Sequence, residues 1–347
     1  MSMEDIEIIS LEPDKLKKLL KENAIPQYRG EQLFDWIHRR YVTKLSEMNN
    51  LPKDFINLLG GTDRDLCPVT AGEVFTSSDK TRKMEILLKD GLKVETVLIP
   101  ENGKLTQCIS SQVGCSVGCE FCRSGKFGFK RNLTAGEILG QIFAAREFYF
   151  PDEHLTNVVF MGIGEPFHNY DNVLNAYQLI CNPKGIGLSS RKVTISTAGI
   201  TKGIEKLGID TDGKAALAIS LHAATEDVRK KLVPGMKTTL EEIVKALKNY
   251  PLPQRRRFTI EYVMVKGVND SDQDARALVR LLSTLRVKIN LLPLNEHDLS
   301  DLQTPDEERV LAFTRILTDK GLSVFMRKKR GNDINAACGQ LLGEKSK

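Results

Sequence analysis

The stretch Gly114-Cys-Ser-Val-Gly-Cys-Glu-Phe-Cys122 places three cysteines, Cys115, Cys119 and Cys122, in a C-x3-C-x2-C spacing within a glycine-rich loop. Three thiolates this close in sequence can share one metal centre. A [4Fe–4S] cluster normally takes four cysteine ligands, so three ligands leave one iron with an open coordination site. The spacing therefore predicts an iron–sulfur cluster to which a substrate or cofactor can bind directly.

Two other uses of these cysteines agree less well with the chain. Disulfide bonds are not favoured, because the sequence has an odd number of cysteines, seven, and no recognisable secretion signal. Structural zinc usually takes two cysteine pairs, or a cysteine pair with a histidine pair. The nearest histidines, His38 and His154, are distant in the sequence and show no paired spacing. We therefore expect iron–sulfur ligation, with zinc as the alternative.

The composition is typical of a folded α/β protein. The chain has 347 residues, of which 41% are hydrophobic and 27% charged, enough for one large domain and a smaller appendage. No apolar run is long enough to span a membrane, and the acidic residues 1–7 do not resemble a signal or transit peptide. These features predict a cytoplasmic protein with no membrane partner, a compartment that suits reduced thiols.

Positive charge is concentrated in two short runs, although the net charge is only +5. We call residues 255–257 (Arg-Arg-Arg) the first basic cluster and residues 327–330 (Arg-Lys-Lys-Arg) the second basic cluster. Basic runs often do no more than solvate a surface. Because these two flank segments with candidate site residues, they are predicted to contact phosphate groups.

The chain divides into three predicted parts. Residues 1–80 are expected to form an N-terminal helical accessory domain and linker, because leucines such as Leu16 and Leu20 share one helical face. Residues 81–100 are expected to form a β-hairpin extension that turns at Asp90-Gly91. Residues 101–347 are expected to form the main domain.

Strands and helices alternate in the main domain. Buried strands are predicted at 106–111, 157–161, 192–196, 215–221, 259–265 and 288–292. Helices are predicted at 135–149, 240–250, 272–283 and 305–320. Such alternation indicates a parallel sheet wound by right-handed crossovers. Six such units predict an α/β fold with a partial (β/α)6 barrel rather than a closed eight-stranded one.

Polar groups follow the predicted strands, at the edge where parallel barrels carry their chemistry. The cysteine loop follows the first strand. Met161-Gly-Ile-Gly-Glu-Pro166 follows the second, Ser196-Thr-Ala-Gly199 the third, Ser220-Leu-His222 the fourth and Pro293-Leu-Asn295 the sixth. We expect these segments to meet around one site.

Five motifs together resemble one protein family. They are Gln112-Val-Gly-Cys-Ser-Val-Gly-Cys-Glu-Phe-Cys122, Met161-Gly-Ile-Gly-Glu-Pro166, Ser220-Leu-His222, Val268-Asn-Asp270 and Asn335-Ala-Ala-Cys-Gly-Gln-Leu341. The combination is similar to the RlmN/Cfr radical-SAM RNA methyltransferases, from about residue 27 to residue 343. Gly164-Glu165-Pro166 resembles the RlmN form more than the Cfr form. The resemblance implies a radical-SAM partial barrel and an enzyme that methylates an adenine carbon of RNA.

The resemblance also implies cofactors and partners. RlmN-type enzymes methylate C2 of an adenosine in the peptidyl-transferase region of 23S rRNA, and some also modify the adenosine beside the tRNA anticodon. Cfr-type enzymes methylate C8 of the same ribosomal adenosine, which is the alternative. The implied cofactors are one [4Fe–4S] cluster per chain and S-adenosylmethionine (SAM), two molecules of which are used per methylation. A flavodoxin or ferredoxin would supply electrons, and the enzyme would be a monomer.

Three residues carry the covalent chemistry that the resemblance implies. One SAM methylates Cys338, and a second is cleaved at the cluster to a radical that removes hydrogen from the methylated Cys338, which then adds to adenine. By position, Glu95 removes a proton from the adduct, and the Cys108 thiol displaces the sulfur to form a disulfide. Cys115, Cys119 and Cys122 would hold the cluster.

The SAM contacts map onto the ends of the strands. Gly164 and Glu165 would approach the methionine amino group, since a carboxylate complements its positive charge and glycine permits close backbone approach. The remaining positions that match the family's SAM contacts are Ser196, Ser220, Leu221, His222 and Asn295.

Each of these assignments has a simpler structural explanation. Cys338 and Cys108 could be small buried apolar residues, which free cysteines often are. Strand alternation alone would place Glu95 on a solvent face. Cys67 and Cys181 match no motif and are expected to be structural.

Two non-enzymatic functions remain as alternatives. A non-catalytic iron–sulfur protein that binds RNA or senses redox state would need the cluster cysteines but not Cys338 or Cys108. A zinc-stabilised RNA-binding module would be colourless. Both leave the 335–341 motif unexplained.

Overall fold

The computed structural model describes residues 3–342. Its helices are α1 (Pro13–Glu22), α2 (Tyr28–Phe34), α3 (Lys53–Leu58), α4 (Arg123–Lys126), α5 (Ala135–Ala145), α6 (Tyr170–Cys181), α7 (Thr201–Asp210), α8 (Glu226–Leu232), α9 (Leu240–Asn249), α10 (Asp272–Leu282) and α11 (Glu307–Asp319). Its strands are β1 (Val69–Thr76), β2 (Arg82–Leu88), β3 (Lys93–Glu101), β4 (Lys104–Cys108), β5 (Gln112–Gly114), β6 (Phe129–Asn132), β7 (Leu155–Phe160), β8 (Val193–Thr197), β9 (Ala216–Ser220), β10 (Phe258–Met264), β11 (Val287–Pro293) and β12 (Ser323–Met326).

Ten of these strands form one sheet, in the order β1-β2-β3-β4-β7-β8-β9-β10-β11-β12. The pairs from β1 to β4 are antiparallel. The pairs from β4 to β12 are parallel. The six predicted buried strands are all present, and the predicted α/β radical-SAM fold is confirmed. β12 adds a seventh parallel strand that the sequence analysis did not include.

The antiparallel part of the sheet is larger than the predicted hairpin. Val69–Thr76, within the predicted linker, forms β1 and pairs along β2. The three strands β1, β2 and β3 therefore form one meander that continues into β4. The predicted division at residue 80 thus falls between two paired strands.

Helix α5 connects the N-terminal residues to the sheet. Thr134 and Glu137 form a reciprocal capping box at its start, and ten of its 11 residues are buried. The Glu7 carboxylate accepts hydrogen bonds from Thr134 Oγ1 at 2.5 Å and from the Gly136 backbone N–H at 3.0 Å. The N-terminal residues thus contact α5, where His38 also packs against Phe143, and Leu16 and Leu20 of α1 are buried.

No helix within residues 3–342 has the length and apolar character needed to cross a membrane.

Candidate active site

A cavity of about 320 Å3 lies at the carboxyl ends of the parallel strands. Five cysteines line it: Cys108, Cys115, Cys119, Cys122 and Cys338. Parallel strands bring the residues that follow them to one edge of the sheet, so segments far apart in sequence meet here. The cavity is also lined by Gly164, Glu165, Ser196, Ser220, His222 and Asn295, which are predicted contacts for SAM.

The shape of the cysteine loop depends on one glycine. Gly114 has a φ of +74°, and a Cβ built there would lie 1.8 Å from the Gly128 carbonyl oxygen. No other residue fits this position. The Cys115 N–H then donates to the same Gly128 oxygen at 3.0 Å, and the Cys122 N–H donates to the Cys119 carbonyl at 3.1 Å. These bonds turn all three side chains toward the cavity.

The three thiols influence one another electrostatically. Burial raises the pKa of Cys115 to about 12 and raises that of Cys119 well above its ordinary value. Charge on Cys122 raises the pKa of both. Three thiolates in this space therefore need cationic partners, which iron supplies. Within the described residues no three His, Cys, Asp or Glu side chains converge as ligands of a single metal ion. Three separate thiols around one cavity fit a cluster whose irons each take their own ligand.

Glu165 is held in the loop that follows β7 by two backbone hydrogen bonds. Its carboxylate accepts from the Phe167 N–H at 3.0 Å and from the Ala198 N–H at 2.7 Å. Burial raises its pKa, and those two bonds lower it. The preceding Gly164 has a φ of +106°, and a Cβ there would lie 2.6 Å from the Cβ of Gln112. The pair therefore presents a fixed carboxylate to any cationic group in the cavity.

His222 is neutral. Its backbone φ is +57°, and its Nδ1 accepts from the Val263 N–H at 3.0 Å. Burial lowers its pKa to about 3. The proton is consequently on Nε2, where the ring can act only as a neutral donor.

Of the next three predicted SAM contacts, two line the cavity and one does not. Ser196 Oγ and Ser220 Oγ lie 3.1 Å apart and both line the cavity. Leu221 is buried but does not line the cavity. Its carbonyl accepts a hydrogen bond from the Arg229 guanidinium. Leu221 can therefore contribute only through its backbone or by packing.

Asn295 connects the end of β11 to the C-terminal segment. Its Nδ2 donates to the Cys338 carbonyl at 3.0 Å. Its Oδ1 is buried without a hydrogen-bond partner among the described residues. A buried acceptor of this kind normally has a donor, so the site fits a cofactor with a free N–H or O–H group.

The C-terminal segment crosses the mouth of the barrel. The Arg123 N–H donates to the Gly339 carbonyl at 2.8 Å, and Ser124 Oγ donates to the Leu341 carbonyl at 2.7 Å. Gln340 Nε2 donates to the Glu296 carbonyl at 3.0 Å. Cys338 is thereby fixed next to the cysteine loop with its side chain open to the cavity. It is not the buried apolar residue of the simpler explanation.

Cys108 is the last residue of β4 and is buried. Its thiol faces the same cavity as Cys338, and charge on Cys338 raises the pKa of Cys108 further above the level set by burial. The two sulfurs therefore belong to one site.

Glu95 lies outside the cavity lining. It is not on a solvent face, as strand alternation alone would suggest, because the C-terminal segment covers that side of β3. Its carboxylate accepts from the Leu342 N–H at 2.7 Å and pairs with Lys83 Nζ at 3.0 Å. Burial raises the pKa of Glu95, and the Lys83 charge lowers it.

The structure reveals three further residues at this site. Asn269, within the Val268-Asn-Asp270 motif, donates to the His222 and Val263 carbonyls, both at 2.7 Å. Arg229 is buried and donates to the carbonyls of Leu221 and Ala198. Glu261 lies on β10 and lines the cavity. A charged residue within a fully buried strand is the sequence signal that could have identified Glu261.

The first basic cluster is not at this site. Residues 255–257 precede β10 and so lie at the opposite end of the strand from the cavity. The second basic cluster, residues 327–330, lines the cavity.

Comparison with known proteins agrees with this geometry. Residues 109–279 match the radical SAM superfamily, and residues 6–61 match the ribosomal RNA large subunit methyltransferase N-terminal domain. The dual-specificity RNA methyltransferase RlmN of Sorangium cellulosum (strain So ce56) is 43% identical over 374 residues, covering 96% of this chain and 95% of that protein. RlmN of Geotalea uraniireducens (strain Rf4) is 42% identical over 346 residues, covering 99% of each chain.

A solved structure supports the same relationship. The crystal structure of a radical SAM methyltransferase from Sphaerobacter thermophilus is 38% identical, with a TM-score of 0.91, covering 97% of this chain and 99% of that one. Radical SAM enzymes use a [4Fe–4S] cluster and SAM, and the residues around the cavity fit both groups. The chain belongs to the RlmN family of radical-SAM methyltransferases.

Proposed function

We propose that this enzyme methylates C2 of an adenosine in the peptidyl-transferase region of 23S rRNA, and also the adenosine beside the tRNA anticodon. The observation that carries the proposal is the presence of Cys338 and Cys108 in the same cavity as the three cluster cysteines. A carbon such as adenine C2 offers no lone pair to an ordinary methyl donor. A second pair of thiols beside a cluster suits a route in which the methyl group first passes to a cysteine.

RNA as the substrate is supported by two features. The relatives are named dual-specificity RNA methyltransferases, and the second basic cluster lines the cavity beside Cys338. Four positive side chains at the mouth of the site suit a phosphate backbone. An adenine within folded RNA must leave its stack to reach Cys338, so we expect a footprint larger than one nucleotide, shared with the N-terminal helices.

The residues of the chain have distinct tasks in this reaction. Cys115, Cys119 and Cys122 hold the cluster, which when bound supplies the electron that cleaves SAM. Gly164, Glu165, Ser196, Ser220, Leu221, His222 and Asn295 orient SAM.

The remaining residues act on the substrate. Cys338 carries the methyl group to the adenine. Glu95 accepts the ring proton, which requires the Leu342 amide to leave its carboxylate. The Cys108 thiolate then attacks the Cys338 sulfur and a disulfide forms. The bond from that sulfur to the methylene carbon breaks, and the carbon keeps the electron pair and takes up a proton to become the methyl group of the departing base. We expect a monomer that receives electrons from a flavodoxin or ferredoxin.

The test is a reaction of anaerobically purified protein with SAM, a reductant and unmodified 23S rRNA or tRNA, analysed by mass spectrometry of nucleosides. We expect 2-methyladenosine, and none from a Cys338→Ala variant. The matched control is Cys181→Ala, since the Cys181 side chain is outside the cavity. Formation of 8-methyladenosine instead would move the protein to Cfr-type chemistry. If cluster-containing protein methylates neither RNA, the proposal is wrong.

A further inference from the structure

We propose that Glu261 accepts the thiol proton of Cys338 when SAM methylates that cysteine. This inference rests on the proposed function, because it assigns a residue to the first step of that reaction. Glu261 corresponds to none of the SAM, cluster or base positions identified above.

The sheet places Glu261 in the centre of the site. On β10 it pairs with Ser220 of β9 on one side and with Asn290 of β11 on the other. Every residue of β10 is buried, and Glu261 is 7% exposed. Its side chain nevertheless lines the cavity, as does Cys338. A carboxylate in such a strand is costly to bury unless it has a task or a partner.

Only one of the two oxygens of this carboxylate has a hydrogen-bond partner among the described residues. Oε1 accepts a hydrogen bond from Asn290 Nδ2 at 2.8 Å. Within residues 3–342 the structure records no hydrogen bond to Oε2 and no ion pair to either oxygen at 4 Å or less. Asn290 thus fixes the orientation of the group, while one oxygen stays available to the cavity.

The charge of Glu261 acts on the Cys338 thiol. The Cys338 thiol opens onto the cavity, yet the surrounding protein raises its pKa to about 12, and the Glu261 charge contributes to that rise. Burial raises the pKa of Glu261 as well. Arg327 lowers both values. A thiol of this kind is protonated at neutral pH and is a poor nucleophile, whereas a carboxylate with a raised pKa is a suitable acceptor for its proton.

The step balances without a further reactant. A bond forms between Cys338 Sγ and the SAM methyl carbon while the bond from that carbon to the SAM sulfur breaks. Its electron pair stays on the SAM sulfur, giving S-adenosylhomocysteine. The thiol proton passes to Glu261 Oε2, and the charge of Arg327, which also lines the cavity, favours loss of that proton from the sulfur. No oxidation or reduction occurs.

The test measures Cys338 methylation directly, without RNA. Cluster-containing protein is mixed with SAM that carries a trideuterated methyl group. Mass spectrometry of the peptide that contains Cys338 then follows incorporation of this methyl group into molecules whose Cys338 was unmethylated when the protein was purified. We expect Glu261→Gln to slow this labelling by about a hundredfold or more, the usual range for loss of a general base. Glu261→Asp should lie between Gln and wild type. The control is Glu85→Gln, a half-buried glutamate outside the cavity.

A second readout separates proton transfer from structural damage. Iodoacetamide reacts with the Cys338 thiolate, whose pKa the Glu261 charge raises, so Glu261→Gln should alkylate at least as fast as wild type. Slow methylation with undiminished alkylation supports the inference. Methylation at the wild-type rate would overturn it, as would an equal slowing of both reactions. Should the Gln variant fail to fold, a wild-type rate for Glu261→Asp overturns it instead. If wild-type protein never labels Cys338, the proposed function itself fails.

Discussion

The side-chain amide of Asn295 donates a hydrogen bond to the backbone carbonyl of Cys338 over 3.0 Å. This bond joins the end of β11 to the segment that carries Cys338. The other end of the same amide, Oδ1, has no partner among the described residues. One side chain therefore holds the segment that carries Cys338 and leaves a buried acceptor free for a ligand.

These two roles of Asn295 can be separated by mutation. Asn295→Asp removes the donor but keeps an acceptor, whereas Asn295→Ala removes both. We expect both variants to speed amide hydrogen exchange in residues 338–340 by about fivefold, because the lost hydrogen bond stabilises the closed segment by roughly 1 kcal/mol. Only Asn295→Ala should lose the acceptor for SAM, which equilibrium binding would report. The control is Thr304→Val, which loses a neighbouring bond from Oγ1 to the Leu294 carbonyl. Unchanged exchange in both Asn295 variants would contradict the anchoring role.

Glu95 and Lys83 form a buried ion pair at 3.0 Å. The loss of folding stability when the lysine is removed should depend on pH. Lys83→Met leaves the carboxylate without its partner, at an expected cost of about 3–5 kcal/mol near neutral pH. The pKa of Glu95 is already above its ordinary value of 4.5 and rises further without the Lys83 charge. Between 4.5 and that raised pKa, folded protein binds the proton that unfolded protein releases, so stability falls as pH rises.

The cost of Lys83→Met should therefore shrink as pH decreases toward 4.5. Urea unfolding between about pH 5 and pH 8 measures this trend. Lys93→Met is the matched control, because Lys93 pairs with Glu85 at 3.3 Å on the same hairpin but is one-third exposed. Its cost should stay below about 1 kcal/mol. A Lys83→Met cost that does not vary with pH would show that the Glu95 charge is not what the lysine balances.

The residues at strand ends were predictable from the sequence for a physical reason. Alternation of strands and helices implies a parallel sheet, and a parallel sheet gathers the residues after its strands at one edge. Glu165, Ser196, Ser220, His222 and Asn295 line one cavity as that argument requires.

Other features depended on contacts that no local pattern encodes. Alternation along β3 identifies two faces but not what covers the second, so the burial of Glu95 by Leu342 could not be read from it. The position of the first basic cluster, by contrast, was predictable, because residues 255–257 precede β10 and residues before a parallel strand lie at the end away from the cavity. Arg229 stands in a charged helix that gave no sign of its burial.

The second basic cluster should govern the salt dependence of RNA binding. Lys328 and Lys329 are exposed at the cavity. Replacing both with alanine should reduce the slope of log affinity against log salt by about 1.4, since each contact to single-stranded phosphate contributes about 0.7. Arg255→Ala with Arg257→Ala removes two charges at the opposite end of the barrel and is the control. Equal slopes for the two double variants would remove the argument for RNA contact at the cavity mouth.

Cys108 should be required for release of the product rather than for attachment of the methyl group. In Cys108→Ala, Cys338 can still become methylated and add to adenine, but no thiol remains to displace it. We expect protein joined covalently to RNA, visible as a slower band on a denaturing gel, with little free 2-methyladenosine. Ribonuclease digestion and peptide mass analysis should locate the nucleotide on Cys338.

Two further variants test whether the conjugate is attached through Cys338 and whether its accumulation is specific to the loss of Cys108. Cys108→Ala combined with Cys338→Ala should give none, because the attachment point is gone. Cys67→Ala should turn over like wild type, because Cys67 packs against the Gly140 carbonyl with its sulfur 3.9 Å away and does not line the cavity. Free methyladenosine released by Cys108→Ala at the wild-type rate would mean that another group resolves the adduct. Among the described residues, Cys108 is the one cysteine other than Cys115, Cys119 and Cys122 that lines the cavity with Cys338, so the resolving nucleophile would then be one of those three or would come from outside the cavity.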